Sequence, residues 1–332
     1  MEVFIMKIIK PSATYMEHNV TPYEFIERVG RTCYKSEDKI TDGSAERFVK
    51  NLISSNHWAM LEHETVYIAM TESLMLNFLR YTVEHWSENL AFFNITNDVN
   101  GRNFILSGSF RSFHDLFSKD YQGLPVKVLK YSLQCAYPLV FGEPDAKMHF
   151  SYTLGYDCTV YSRDVFIDLY KGIPDILFKH LTHTVKFTCD RGVSHEMVRH
   201  RVASFAQEST RYCNYGKDKY GNEITVILPT FFYTGELPYD LRFDDWREAC
   251  EKAEEIYFEL LRNNAKPEEA RTVLPHSVKT DLIVTATEQE WQHIVDLRLI
   301  GTTGKPHPQI KEVMKIIIDD LVRESGERIN FI

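Results

Sequence analysis

Apolar and polar residues recur along this chain with spacings that identify helices and strands. Thr21-Pro22-Tyr23-Glu24 combines a capping box with proline at the first helical position, and it predicts a helix to about Tyr34. Apolar residues at helical spacing predict a long amphipathic helix over 244–263. Further helices are expected near 45–55, 74–86, 125–137, 193–203, 288–299 and 307–323, and a short one before Arg271.

Alternation with period two predicts the strands. It is clearest from Thr182 to Cys189, where Val185, Phe187 and Cys189 fall on one side. Other strands are expected near 2–9, 65–70, 103–107 and 224–228, and 281–286 fits either a strand or a buried helix. Turns are expected at Asn100-Gly101 and Asp190-Arg191-Gly192. We interpret the fold as α+β, with an antiparallel-rich central sheet flanked by helices and an inserted α/β segment.

The pattern is less regular between Glu72 and Lys179, and no Ser/Gly-rich linker borders this stretch. A length of 332 residues is compatible with one large domain or about two. We therefore predict a single domain over 1–332 that carries an insertion at about 67–181.

The amino-acid composition limits the kinds of partner that the chain is expected to bind. Lys and Arg number 38 against 47 Asp and Glu, so the net charge of −9 argues against bulk attraction to nucleic acid and leaves room for a local anion site. No apolar run approaches the ~18 residues of a membrane span, and the first ten residues lack a signal-peptide pattern. The six cysteines are scattered without a CxxC pair. These features predict reduced thiols, a cytoplasmic location and no membrane partner.

The densest polar cluster places three arginines, one histidine and three hydroxyl residues between Arg199 and Arg211. Paired guanidinium donors suit an anionic ligand. On a continuous helix Arg199 and Arg201 would point about 200° apart. Two neighbouring anions, or one anion and one structural ion pair, would then fit better than one shared group. The alternative is an exposed basic helical turn.

The other motifs argue against several kinds of catalytic or cofactor-binding site. A zinc-protease motif has the pattern H-E-x-x-H. After His63-Glu64 the final position is Tyr67, and after His195-Glu196 it is Arg199. We therefore expect these histidines to be structural and expect no metal site. GxGxxG and GxSxG motifs are absent. Cys213 lies two positions after Arg211, and we interpret it as a small core thiol rather than a nucleophile.

Four elements together resemble the flavin-dependent thymidylate synthases. They are Arg199-His200-Arg201 followed after seven residues by Ser209-Thr210-Arg211, His57 with Glu62-His63, Ala270-Arg271 with Leu274-Pro275, and Leu297-Arg298. Their order is the family's, and the resemblance extends over roughly 22–66, 182–215 and 245–312. It implies reductive methylation of dUMP to dTMP, with methylenetetrahydrofolate as carbon donor and NADPH-reduced FAD as hydride source. It also implies a homotetramer with sites at subunit interfaces.

The resemblance assigns roles by position. Arg298 would be catalytic, stabilising the pyrimidine as N3 loses its proton. The residues expected to bind dUMP are Glu196, Arg199, Gln207, Glu208, Ser209, Thr210, Arg211, Arg271 and Arg298. Those expected to bind FAD are His57, Ala59, Arg199, His200, Arg201, Gln207, Thr287, Gln289 and His293.

The chain also departs from the family. Ala206-Gln207 stands where many members have Asn-Glu, Glu208 is displaced by one position, and Thr287 and Gln289 stand where others often have Asn and Arg. The insertion is absent from compact members. Two alternatives therefore stay open: a flavin-free thymidylate synthase with a cysteine nucleophile, and a flavin- or nucleotide-binding module without catalysis.

Overall fold

The central sheet contains the segments in which the sequence pattern is clearest. The computed structural model describes residues 6–86, 92–98, 103–118, 123–144, 157–211, 213–217, 221–233 and 241–331. Its strands are β1 Lys7–Ile9, β2 Ser12–Tyr15, β3 Thr65–Thr71, β4 Phe93–Asn97, β5 Asn103–Ser109, β6 Cys158–Tyr161, β7 Thr182–Asp190, β8 Ser204–Gln207, β9 Thr225–Ile227 and β10 Lys279–Thr287.

The helices flank these strands. They are α1 Pro22–Tyr34, α2 Ser44–Ser54, α3 Glu72–Trp86, α4 Phe110–Ser118, α5 Leu124–Ala136, α6 Pro138–Phe141, α7 Arg163–Tyr170, α8 Pro174–His180, α9 Arg191–Met197, α10 Leu241–Arg262, α11 Pro267–Ala270, α12 Glu288–Val295 and α13 Pro308–Glu324. Short 3₁₀ segments cover Glu37–Lys39, Trp58–His63, Thr230–Phe232 and Arg271–Val273, and a π-helical turn covers Asp296–Ile300.

Strands β2, β7, β10 and β8 form the central antiparallel sheet in that order. β7 and β10 pair over nine positions, from Lys279 opposite Asp190 to Thr287 opposite Thr182. The inward side chains of these two strands pack on α12 and α13, in a core that includes the buried Phe187 and Trp291. The α+β prediction, with an antiparallel sheet flanked by helices, is confirmed.

A second antiparallel sheet has the order β4-β5-β3-β6, and all four strands lie between residues 65 and 161. Where this segment leaves and rejoins the rest of the chain, the Thr65 and Thr182 hydroxyl oxygens are 3.2 Å apart. A segment whose ends meet can be added to a domain without displacing the strands around it. The insertion at about 67–181 stays a prediction, to which this geometry conforms.

Most predicted elements are confirmed, and the capping box at Thr21 forms as expected. The predicted turn at 190–192 is wrong, because the Asp190 carboxylate accepts a hydrogen bond from the Val193 N–H and caps α9. The helix predicted over 193–203 ends at Met197, and the helix predicted over 288–299 changes to the π-helical turn after Val295. The ambiguous 281–286 segment is a strand. Asn100-Gly101 and residues 2–5 lie outside the described residues.

Across the described ranges, none of the helices combines the length and apolar character that a bilayer crossing requires.

Candidate functional site

The Arg199–Arg201 segment is a turn that follows α9. Arg199 and Arg201 are exposed, whereas His200 between them is 4% exposed. Because the backbone is not helical here, the expected separation of about 200° between the two arginines does not apply. Within the part of the chain that the structure describes, neither arginine forms an ion pair. Two exposed guanidinium groups therefore flank a buried imidazole.

Arg298 lies in the π-helical turn that follows α12. The turn is closed by a hydrogen bond from the Gly301 N–H to the Asp296 carbonyl. Gly301 has φ 86°, and a Cβ there would lie 2.7 Å from the Gly304 carbonyl oxygen, so only glycine ends the turn without strain. π-helical turns often occur at functional sites.

Three protein acceptors hold the Arg298 guanidinium. Nη1 donates to the Glu196 carboxylate at 3.0 Å and Nη2 donates to the Glu196 carbonyl at 3.0 Å. Nε donates to Nε2 of His200 at 3.1 Å. An arginine has five N–H donors, so one N–H on each terminal nitrogen is left for a ligand. Arg298 is thus brought together with Glu196 and His200, which precede it by 102 and 98 positions.

His200 also faces α12. Its Nδ1 lies 3.5 Å from a carboxylate oxygen of Glu290, and its ring centroid is 5.7 Å from that of the exposed His293. Polar atoms of His200, Glu290 and His293 lie within 4.8 Å of one another, a geometry that could hold a metal ion. Sequence reasoning missed Glu290, because nothing in the α12 pattern distinguishes it from an ordinary helical glutamate.

A second group of predicted dUMP residues meets beyond the end of β8. Arg271 Nη1 donates to the Thr210 hydroxyl at 3.4 Å across 61 positions. Arg211 Nε donates to the Glu268 carboxylate at 3.0 Å. The predicted short helix before Arg271 is confirmed as α11. This side of the site therefore holds two arginines, one against a hydroxyl and one against a carboxylate, and paired guanidinium groups can bind a phosphate.

Gln207 and Glu208 face different surroundings. The Gln207 amide donates to the hydroxyl oxygens of Ser194 at 2.9 Å and Thr280 at 3.2 Å. Glu208 is 2% exposed and accepts hydrogen bonds from Lys279 at 2.7 Å and the Tyr215 hydroxyl at 3.2 Å. Glu208 is thus part of a buried charge network, and its contact with dUMP stays a prediction.

That network joins α1 to β10. Asp281 accepts hydrogen bonds from Lys35, from Lys279 at 2.8 Å and from the Thr188 hydroxyl at 2.7 Å. Burial alone would raise the pKa of Asp281, but the neighbouring lysines lower it well below its ordinary value. Sequence analysis did not identify the network. The charged residues at alternate positions of β10, Lys279 and Asp281, were the available signal.

The predicted flavin residues His57 and Ala59 line a separate cavity of about 640 Å³. Its other walls include Tyr34 and residues of α4, which belongs to the predicted insertion. Trp58 stacks on His114 of α4 with ring centroids 3.4 Å apart, and Arg111 of α4 donates to Glu62 at 2.5 Å. None of the described residues between 199 and 211 lines this cavity.

The remaining predicted flavin residues lie at the start of α12. The Thr287 hydroxyl caps the helix by accepting a hydrogen bond from the Glu290 N–H, and Gln289 and His293 are exposed. Ser209, from the dUMP set, accepts a hydrogen bond at its carbonyl from the Cys213 N–H. Their contacts with ligands stay predictions.

A larger cavity, of about 1060 Å³, is lined by residues of β2, β7, α7 and the C-terminal segment. The Tyr15 hydroxyl is 2.6 Å from Nδ1 of His183, whose Nε2 is 2.8 Å from Glu288. Arg328 donates twice to the same Glu288 carboxylate. This buried chain fastens the C-terminal segment to β7. Among the described residues that line the cavity, none is a predicted site residue.

A thymidylate synthase complementing protein family, Thy1, matches residues 168–324 of this chain. Curated relatives named flavin-dependent thymidylate synthase include one from Pyrococcus furiosus, 29% identical over 169 residues, which are 48% of this chain and 66% of the relative. The relative from Pyrococcus abyssi is 28% identical over 56% of this chain and 66% of its own length. One from Sulfolobus acidocaldarius is 35% identical over 40% of this chain and 46% of its own.

The matches thus span up to about two thirds of these relatives. The Arg199–Arg211 cluster, Arg271 and Arg298 lie within the family match, whereas His57 and Ala59 precede it. A solved UMP/dUMP methylase PolB from Streptomyces cacaoi covers 97% of this chain and 96% of its own at 15% identity. Its TM-score of 0.39 is too low to support any conclusion.

Proposed function

We propose that this chain, whose residues 168–324 match the Thy1 family and whose relatives are named flavin-dependent thymidylate synthases, converts dUMP to dTMP by reductive methylation. Methylenetetrahydrofolate would donate the carbon and NADPH the reducing equivalents. The observation that carries the proposal is the placement of Arg298. The fold positions this guanidinium through three acceptors and leaves two N–H donors that a ligand could occupy.

The remaining N–H donors of Arg298 suit the uracil edge of dUMP. N3 of uracil carries a weakly acidic proton, so its removal at neutral pH costs free energy. A preorganised guanidinium offsets that cost by pairing with the negative charge that develops on N3 and O2. Glu196 keeps the guanidinium plane fixed through its side chain and its carbonyl, so little reorganisation is needed.

The phosphate of dUMP would bind on the other side of β8. Arg271 and Arg211 would supply the charge, and Ser209 and Thr210 would supply hydroxyl donors. Gln207, the residue that replaces the family's more usual acid, is held by Ser194 and Thr280. Its amide would contact the nucleotide by hydrogen bonding.

The residues present fit a flavin dinucleotide. The exposed guanidinium groups of Arg199 and Arg201 can bind its pyrophosphate without a glycine-rich loop. The cavity at His57 is separate from them within one copy, so its aromatic walls would reach the same flavin across the proposed subunit interface. When bound, FAD supplies the hydride that completes the methyl group. Thr287, Gln289 and His293 complete the proposed flavin set. The α4 residues at the His57 cavity give the predicted insertion a proposed role in shaping that cavity.

The flavin-free alternative needs a reactive thiol. Burial raises the pKa of Cys33 to about 12 and of Cys158 and Cys250 to about 11. Cys213, the thiol nearest the signature in sequence, is 1% exposed. A cysteine nucleophile must be accessible as its thiolate, so these thiols are unsuited to the role. Cys135 is exposed, but it lies on α5, outside the signature residues. We therefore retain the flavin-dependent proposal.

The decisive experiment is a turnover assay. The purified chain, reconstituted with FAD, should be yellow and should form dTMP from dUMP in the presence of methylenetetrahydrofolate and NADPH. FAD binding without dTMP formation would favour the non-catalytic module. Failure to bind FAD at micromolar concentrations would overturn the flavin-dependent proposal. The cytoplasmic location and the homotetramer stay predictions, the latter tested below.

A further inference from the structure

Glu290 and His200 form a buried contact that ends at the proposed catalytic guanidinium. Arg298 Nε donates to Nε2 of His200 at 3.1 Å, and the opposite ring nitrogen, Nδ1, lies 3.5 Å from Glu290 Oε1. The side chain of His200 is 3% exposed and that of Glu290 is 13% exposed. The polar contacts of His200 are therefore made with the protein rather than with bulk water.

The donor on Arg298 determines the tautomer of His200. Arginine has only donors, so Nε2 must carry a lone pair to accept from it. The ring proton of the neutral imidazole is then on Nδ1. A carboxylate beside Nδ1 stabilises this proton electrostatically, and of the described acidic residues Glu290 is the one that faces it.

From these contacts, we propose that Glu290 is a positioning residue for the methylation reaction. By holding the proton of His200 on Nδ1, it keeps Nε2 available to accept from Arg298. Glu290 thus acts on the reaction through two other side chains without touching the substrate. The inference rests on the proposed function, because it assigns Glu290 its role through Arg298.

The same residues, with His293, have the spacing of a metal site, but the hydrogen bonding opposes one. A histidine that binds a metal through one nitrogen normally donates an N–H from the other. Here the other nitrogen, Nε2, faces an N–H donor of Arg298. A divalent ion on Nδ1 would also lie close to the guanidinium charge. The positioning role accounts for the contacts of both ring nitrogens of His200, whereas a metal site would account for the surroundings of Nδ1 alone.

The test is a double-mutant cycle with Glu290→Gln, Arg298→Ala and the double variant. The measured quantities are kcat, the KM for dUMP and the dUMP affinity by calorimetry. We expect Glu290→Gln to lower kcat about tenfold with a smaller change in KM. In the Arg298→Ala background the same substitution should change kcat less than about twofold, because the group it positions is gone.

Control variants distinguish a positioning role of Glu290 from a general loss of folding or of FAD binding. Glu255→Gln removes an exposed helical carboxylate that pairs with Lys252, and it should leave kcat unchanged. Glu290→Asp keeps the charge and should recover part of the lost rate, which also serves if Glu290→Gln folds poorly. FAD binding, followed by absorbance, should be the same in Glu290→Gln and the wild type.

Several results would overturn the inference. Additive losses in the cycle would show that Glu290 acts independently of Arg298. A weaker FAD affinity in Glu290→Gln with unchanged kcat would make the segment a flavin contact instead. Stoichiometric Zn²⁺ binding that is lost in both Glu290→Gln and His293→Ala would establish a metal site.

Assays of dUMP binding and dTMP formation by the wild type alone show whether the proposed function fails. If the wild type binds dUMP without forming dTMP, the function fails, and coupling between Glu290→Gln and Arg298→Ala in dUMP affinity still decides the positioning role. If the wild type neither binds nor methylates dUMP, both proposals fail.

Discussion

At the residue scale, Arg298 and Arg271 have different surroundings and should have different kinetic roles. Arg298 is fixed by Glu196 and His200, whereas Arg271 is exposed and has one long hydrogen bond, to Thr210. A preorganised donor acts mainly on the transition state, and a phosphate contact acts on ground-state binding as well. The two arginines therefore allow a matched comparison.

We predict that Arg298→Ala lowers kcat about a hundredfold. Removing one preorganised donor usually costs about 3 kcal/mol of transition-state stabilisation, which corresponds to this factor. Arg271→Ala should mainly raise the KM for dUMP. Arg298→Lys should recover little, because an ammonium group lacks the planar fork that meets Glu196 and His200 together. Steady-state kinetics on folded, FAD-loaded variants measure both parameters. A near wild-type kcat in Arg298→Ala would refute the assignment.

Cys213 offers a test of covalent chemistry at the same scale. Its side chain is buried in the core formed by Tyr215, Val226 and Tyr257. We predict that Cys213→Ser keeps most of the turnover and loses about 1 kcal/mol of stability, the central value for single substitutions. Turnover and denaturant unfolding measured on one preparation check both. A loss of several orders of magnitude in a folded variant would revive the cysteine mechanism.

At the scale of elements, long amphipathic helices and alternating strands could be predicted because their periodicity is local. α10 and α13 illustrate the helices, and β7 illustrates the strands. The termination of α9 at Met197 could not be predicted, since His200 is drawn into the interior by Arg298 and Glu290, which lie about ninety residues further on. The π-helical turn at Asp296–Ile300 could not be predicted either, because it leaves the spacing of the apolar residues almost the same as in a regular helix.

The charge network between α1 and β10 makes stability depend on pH. The lysines around Asp281 lower its pKa in the folded chain below the value of about 4 expected when unfolded. The ionised carboxylate therefore stabilises the fold above about pH 4, and this contribution is lost as the pH falls toward the folded-state pKa.

We predict that Asp281→Asn lowers the free energy of unfolding at pH 7 by about 2 kcal/mol, because it removes one of the two carboxylates that neutralise Lys35 and Lys279, the other being Glu208. The difference from the wild type should shrink as the pH falls below about 4. Urea unfolding at several pH values measures it. Asp168→Asn, which removes an exposed pair with Lys171, is the control and should change little at any pH. A pH-independent difference would contradict the assignment.

At the scale of the whole molecule, the site is assembled from segments that the chain keeps far apart. The motifs around Arg199, Arg271 and Arg298 could be recognised, but their pairing with Glu196, Thr210 and His200 depends on the sheet order β2-β7-β10-β8. That order is set by long-range strand pairing and leaves no local signal. The α4 contacts with the His57 element were unpredictable for the same reason, since β3 and β5 separate them in the chain.

The surface beside the proposed flavin residues indicates how copies of the chain could associate. Val202 is 67% exposed and Val198 is 39% exposed, next to the exposed Arg199 and Arg201. Apolar side chains beside unpaired cations suit a contact that another subunit covers together with an anionic ligand. This agrees with the predicted homotetramer, in which subunits share sites.

We predict that light scattering of the FAD-loaded chain gives about four times the 38.8 kDa mass of one copy. Val202→Asp should reduce the assembled fraction and weaken FAD binding together, because a carboxylate buried at the interface would be desolvated and would repel the flavin phosphates. Val83→Asp, at a valine of α3 that is 57% exposed, is the matched control and should alter neither. An active monomer, or a Val202→Asp protein that still assembles and binds FAD normally, would show that one copy completes the site and that the exposed valines have another role.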